Sequence, residues 1–139
     1  MQSGFRVRAD TRLAVVALLL SPLGLGCRSG DRPVAIQGRV TFQGHPVMEG
    51  MVQFNDEKTG HGAEVELGPD GSYKATLPAG NYAVVILPPL LTVESKSGPP
   101  DPQFKKVRNI PEKYRSTVTS GLTAAVSADK TVHDFDLNP

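Results

Sequence analysis

Apolar and polar residues alternate along most of the chain that follows residue 33. Between 34 and 42 the apolar side chains fall on one side and Gln37, Arg39 and Thr41 fall on the other. A period of two residues is typical of a half-buried β-strand. The same signal recurs in six further short segments, which are 51–55, 63–67, 73–77, 82–87, 122–126 and 132–137.

Turn residues separate these segments. The run Gly68-Pro69-Asp70-Gly71 is a strong turn signal, because proline presets one backbone dihedral and glycine accepts a positive one. The segment 82–87 is apolar on both faces, as expected of a central strand. Val132 is out of phase with Phe135, which predicts a bulge or an irregular start to the last strand.

Seven short strands with frequent turns predict an all-β domain, namely a seven-stranded antiparallel β-sandwich over residues 34–139. No segment shows a helical apolar period. The predicted core is Val34, Ile36, Val40, Phe42, Val52, Phe54, Val65, Leu67, Tyr73, Leu77, Tyr82, Val84, Ile86, Leu122, Val126, Phe135 and Leu137.

The first 27 residues have the pattern of an export signal. Three arginines precede an eight-residue apolar run, LAVVALLL, and small residues follow it. This run is too short for a permanent transmembrane helix, which needs about 20 residues. Residues 28–33 are polar and predict a short tether between the signal and the domain.

Cys27 decides which kind of signal this is. It resembles the lipobox cysteine of bacterial lipoproteins, whose thiol takes a diacylglycerol before the cysteine becomes the new N-terminus. Gly26 matches the small residue that precedes such a cysteine, whereas Gly24 stands where a leucine is usual. An unmodified secreted protein is the alternative. We expect lipidation at Cys27, and hence an exported protein anchored in a membrane and facing the periplasm or the cell surface.

The charge balance argues against nucleic acid as a partner. Beyond residue 27 there are 12 Lys or Arg and 13 Asp or Glu, whereas nucleic-acid binding requires a concentrated basic face. Cys27 is the one cysteine, so an internal disulfide cannot form.

The segment 88–119 departs from the strand pattern. It holds 6 of the 12 prolines and 6 of the 12 basic residues that follow Cys27. Long loops in compact domains are often functional or disordered. A candidate binding loop would present Phe104, Lys105, Lys106, Arg108 and Tyr114 to a partner. In the alternative, which we favour, 99–103 is merely flexible, and Ile110 and Tyr114 pin the rest onto the sandwich.

No catalytic or metal-binding motif is evident. His45, His61 and His133 lack the close spacing of metal ligands, and we expect them at the surface or in turns. Asp129, Asp134 and Asp136 could offer oxygen ligands to calcium, but alternating carboxylates on a strand are usually solvated. We therefore expect neither an enzyme nor a cofactor.

Several short motifs, taken together, resemble a known domain family. They are Val34-x-x-x-Gly-x-Val-Thr, Gly44-x-Pro-Val, Gly50-x-Val-x-Phe, Gly71-Ser-Tyr and Ala79-Gly80-x-Tyr82. In this order they resemble the carboxypeptidase regulatory-like (transthyretin-like) domain. The stretches Asn109-Ile-Pro-x-Lys-Tyr114, Thr119-Ser-Gly-Leu-Thr123 and Asp134-Phe-Asp-Leu137 are similar to small lipoproteins common in planctomycete bacteria. The resemblance implies a transthyretin-like or immunoglobulin-like sandwich and no catalytic residues.

These observations predict a non-enzymatic module, anchored to a membrane through its N-terminal lipid, that binds or organises another envelope protein or a polysaccharide. A carbohydrate-binding module is the alternative, although sugar sites usually present exposed aromatic rings and the chain has no Trp and 3 Tyr. An accessory subunit of a surface or transport complex is a further possibility.

Overall fold

A computed structural model describes residues 32–93, 98 and 101–139. This part of the chain is mostly β, which confirms the all-β prediction. Its strands are β1 Pro33–Phe42, β2 His45–Pro46, β3 Met51–Asn55, β4 Gly62–Glu66, β5 Ser72–Pro78, β6 Gly80–Leu87, β7 Leu90–Val93, β8 Asp101–Phe104, β9 Leu122–Val126 and β10 Phe135–Leu137. A 3-10 helix spans Glu112–Arg115 and the helix α1 spans Thr117–Ser120.

The first sheet is built around β1. Its first part pairs antiparallel with β5, from Pro33 opposite Pro78 to Arg39 opposite Ser72. Its last residues pair with the short β2 on that side and with β10 on the other. β1 therefore pairs with each of the other three strands of this sheet.

The second sheet has the order β4-β3-β6-β9, and all of its pairs are antiparallel. The strand β6 lies inside it and buries Val84, Val85 and Ile86 in succession. Burial on both faces is what the unbroken apolar run at 82–87 predicts.

One pairing differs from the antiparallel prediction: β10 runs parallel to β1. β9 ends where Val126 pairs with Gly80, and the turn at 127–130 follows. The chain thus enters the first sheet at the end where β1 also begins, so the two strands run in the same direction. Val132 makes an isolated bridge to Gln37 before β10 starts, which confirms the irregular start predicted there.

Both four-stranded sheets contribute to one hydrophobic core. Every residue of the predicted core lies in it or packs against it. Phe54 of the second sheet contacts Tyr73 of the first, with ring centroids 5.8 Å apart. Tyr73 in turn stacks on Phe135 at 6.3 Å. The core also includes residues outside the predicted list, namely Val47, Ile110, Tyr114 and Ala124.

The segment 88–119 is not the structureless loop that its composition predicts. Within it, β7 and β8 form a two-stranded antiparallel sheet of their own, which we call the distal ribbon. The 3-10 helix and α1 then lie against β6. The side chain of Ser116 caps α1 by accepting from the N–H of Val118, and Gly121, in the left-handed conformation, ends it.

The strand directions give the domain two distinct ends. Pro33, the turn from Pro78 to Gly80 and the turn at 127–130 share one end, which we call the proximal end. At the other, distal end, Leu87 pairs with Met51 and the chain leaves the second sheet for the distal ribbon. The ten residues of β1 correspond to a separation of roughly 30 Å between the two ends.

Candidate functional site

The distal ribbon carries exposed apolar side chains. Leu90 and Phe104 stand directly opposite each other in its register, with 51% and 46% of their surfaces exposed. Leu91 is 47% exposed, and Met48 in the nearby loop is 65% exposed. Because large apolar residues usually lie inside a protein, several exposed ones at one end make this a candidate interaction surface.

A cavity connects the ribbon with the body of the domain. It has a volume of about 410 Å³ and is lined by apolar groups of Met48, Met51, Leu67 and Leu90, with Glu66 among its other lining residues. Leu90 therefore lines a depression wide enough for a side chain of a partner. We call Met48, Leu90, Leu91 and Phe104, together with this cavity, the distal surface.

The basic residues of the predicted binding loop are divided between two roles. Lys105 forms an ion pair with Glu49 at 2.7 Å, and its backbone N–H donates to the carbonyl oxygen of Pro89. It thus ties the ribbon to the distal end of the domain. Lys106 and Arg108, which follow the ribbon closely along the chain, are exposed, and we call these two residues the cationic margin.

Tyr114 does not present its ring to solvent, contrary to the binding-loop hypothesis. Its side chain is buried in the core, and its hydroxyl oxygen accepts a hydrogen bond from the N–H of Asn138 at 3.0 Å. Ile110 is fully buried, and its carbonyl oxygen accepts from the guanidinium of Arg115 at 2.7 Å. These two residues pin 110–115 onto the domain, as the alternative interpretation expects.

A second candidate site is a groove on the outer face of the first sheet. Its volume is about 530 Å³, and its polar lining includes Arg39, Lys74, Asp134 and Asp136. Both carboxylates are hydrogen-bonded to β1. Asp134 accepts from the N–H of Arg39, and Asp136 accepts from the hydroxyl of Thr41. The Thr41 hydrogen bond, with a second one from Gly44, lowers the pKa of Asp136.

One of the three histidines is not where the sequence predicts it. His45 and His61 are exposed, but His133 is buried and its Nε2 lies 3.2 Å from the carbonyl oxygen of Lys130. His133, Phe135 and Leu137 are two residues apart, so their side chains fall on the same side of an extended chain. This alternation could have predicted that His133 points inward. Within 32–93, 98 and 101–139, no three His, Cys, Asp or Glu residues are grouped so as to hold a metal ion.

No family model matches the chain. No curated protein matches it either. The structure is similar to the crystal structure of a DUF3823 family protein from Parabacteroides merdae, with 18% sequence identity and a TM-score of 0.37. The alignment covers 78% of this chain and 45% of that one, so the chain spans less than half the length of the protein it matches.

Some of the earlier predictions lie outside the described residues. Cys27, the rest of the signal and most of the tether are among them. No helix in the described part of the chain is long and apolar enough to cross a membrane. Leu90 and Leu91 were not predicted as site residues. The run Leu90-Leu91-Thr92-Val93 between prolines and Glu94 is itself a short strand signal that could have identified them.

Proposed function

We propose that this protein is a lipid-anchored, non-enzymatic module of the cell envelope, and that its distal surface binds another envelope protein. The proposal combines the lipobox-like Cys27 with the exposed apolar residues of the distal ribbon. Lys106 and Arg108 at the margin favour a partner whose contact region carries acidic groups.

The observation that carries this proposal is the placement of Pro33 and the distal ribbon at opposite ends of the strands. The chain from Cys27 to Pro33 can span at most about 20 Å, which is less than the length of β1. A lipid on Cys27 would therefore hold the proximal end near the membrane. The distal surface would then face away from it, where a protein partner is accessible.

We further propose that the two four-stranded sheets stack as a transthyretin-like sandwich. Support comes from the shared core, in which Phe54 of one sheet contacts Tyr73 of the other. A sandwich with a continuous core is a rigid spacer, which suits a module that displays a binding surface at one end.

Carbohydrate binding, the alternative function, has less support. Sugar sites commonly stack the ligand on exposed aromatic rings. All three tyrosines lie among the described residues, and the exposed fractions of Tyr73, Tyr82 and Tyr114 are 3%, 1% and 7%. Phe104 is the large aromatic ring exposed at the distal surface, and it carries no polar group that would orient a sugar.

Site-specific photo-crosslinking in living cells tests the proposal. A photoreactive amino acid would replace Phe104 at the distal end or, as the matched control, exposed Lys58 at the proximal end. We expect one identifiable envelope protein to be crosslinked from position 104 and not from position 58. Equal crosslinking from both positions, or protein adducts from position 58 alone, would contradict a distal binding surface.

A further inference from the structure

The register of the distal ribbon determines which of its main-chain groups face outward. The N–H of Lys105 donates to the carbonyl oxygen of Pro89, and Leu90 pairs with Phe104 one step further along. In an antiparallel pair, hydrogen-bonded and non-hydrogen-bonded residue pairs alternate. The pairs Leu90–Phe104 and Thr92–Pro102 are consequently of the non-hydrogen-bonded kind, so their N–H and C=O groups point away from the ribbon.

Among the residues that the structure describes, neither outer edge of the ribbon is paired, and the two edges are not equivalent. On β8 the outward position 102 is a proline, which has no N–H to donate. On β7 the outward residues Leu90 and Thr92 each offer both a donor and an acceptor. Within the described part of the chain no third strand pairs with β7. The edge of β7 therefore offers main-chain donors and acceptors, at Leu90 and Thr92, with which another strand could pair.

The surroundings of β7 indicate the chemistry of such a strand. Alternate side chains on the face of Leu90 would meet the cavity beside Met48, whose lining includes Met51 and Leu67 as well as Glu49 and Glu66. Glu66 at that cavity disfavours an acidic group there. Exposed Lys106 and Arg108 favour acidic groups elsewhere on the strand, since Glu49 is already paired with Lys105.

We propose that the free edge of β7 accepts an extended segment of a partner protein as an added β-strand. The segment carries apolar residues at every second position and acidic residues between them. Main-chain hydrogen bonds to Leu90 and Thr92 provide affinity, and the cavity with the cationic margin provides selectivity. This inference rests on the proposed function and specifies how its distal surface recognises a partner.

Short synthetic peptides with blocked ends are the probe for this mode of binding. In one peptide valine alternates with glutamate, in the second valine alternates with lysine, and in the third the residues of the first are scrambled. Binding of each labelled peptide to the full-length protein, purified in detergent, would be followed by fluorescence anisotropy. We expect saturable binding of the first peptide alone. Equal binding of all three, or of none, would overturn the proposal.

Methylating the peptide amides tests the pattern of hydrogen bonds without altering the protein. The amides of an added strand alternate between facing β7 and facing solvent. N-methylation of one alternate set should therefore weaken binding by at least about tenfold, and methylation of the other set should leave it unchanged. Equal effects of both sets would contradict strand addition.

Variants of the protein separate this inference from the proposed function. Thr92→Pro removes an outward N–H that makes no bond within the ribbon, and Thr92→Val retains it. We expect about a tenfold loss of peptide binding for T92P alone. Leu90→Asp should abolish binding by placing a charge at the distal surface. If L90D abolishes peptide binding and T92P leaves it unchanged, strand addition is wrong, whereas the proposal that the distal surface binds a partner is retained. If neither variant changes binding, both proposals fail.

Discussion

The hydroxyl of Tyr73 donates a hydrogen bond to the backbone carbonyl oxygen of His133, 60 residues further along the chain. The bond is buried, and it ties β5 to the segment that leads into β10 across the width of β1. Gly38 of β1 lies next to both hydrogen-bonded groups, and a Cβ at this position would overlap the His133 carbonyl. This part of the core thus combines a polar contact with a close backbone approach.

Tyr73→Phe removes the donor and leaves the buried His133 carbonyl without its partner. We expect the free energy of unfolding to fall by about 1–3 kcal/mol, because a buried acceptor loses its hydrogen bond. Urea denaturation of the purified protein measures the change. Val118→Ala is the control, since Val118 is 91% exposed and its truncation should have no effect. Equal stability of Tyr73→Phe and the wild type would show that the bond contributes nothing.

Alkaline pH should destabilise the fold through the same tyrosine. Burial, and secondly the charge of Asp134, raise the pKa of Tyr73 above its ordinary value. Its neutral form is therefore favoured in the folded state. The resulting stability is fully present below the unfolded pKa of about 10 and is lost as pH rises towards the folded value. Unfolding measured between about pH 8 and pH 11 should show a smaller loss in Tyr73→Phe, and an identical loss would contradict the assignment.

Gly38→Ala should be strongly destabilising. The added methyl group would overlap the carbonyl oxygen of His133 and lie 2.8 Å from the hydroxyl of Tyr73. We expect a cost of about 1–3 kcal/mol or more, as for other overpacked sites. Gly80→Ala is a matched control, because its Cβ would lie an acceptable 3.4 Å from Asp56. A thermal melt that ranks the two variants in the reverse order would refute this description of the core.

The segment 88–119 should contain both stabilising and dispensable apolar residues. Ile110 is fully buried, so Ile110→Ala should cost about 2–5 kcal/mol. Leu90 is half-exposed at the distal surface, and Leu90→Ala should change stability by no more than about 0.5 kcal/mol. Denaturant midpoints of the two variants measure this contrast. Comparable losses would mean that the ribbon is part of the folded core and is not a free surface.

Much of the strand framework could be predicted from the sequence, because alternation with a period of two gives both the strand and its inward face. Val52 and Phe54 illustrate this, since both are fully buried as predicted. The parallel direction of β10 could not be predicted, because it depends on which sheet the chain joins after β9. A local pattern does not carry that information.

The distal surface was predicted only in part, and the reason lies in composition. The prolines of 88–119 obscured the strand signal of Leu90-Leu91-Thr92-Val93, so Phe104 was predicted as a site residue and its opposite neighbour Leu90 was not. The burial of Tyr114 depends on contacts with distant residues such as Asn138. The favoured alternative did expect Tyr114 to pin the segment onto the domain, but the sequence pattern does not identify the residues that Tyr114 contacts.

A lipid on Cys27 holds this domain at a membrane in our proposal, and the orientation of the distal surface depends on this anchor. The most direct test is the intact mass and membrane partitioning of the natively expressed protein, compared with a Cys27→Ser variant. We expect a mature chain that begins at Cys27 with added acyl mass, and a variant that leaves the membrane fraction. A chain cleaved near Gly26 with an unmodified thiol, equally soluble in both forms, would contradict it.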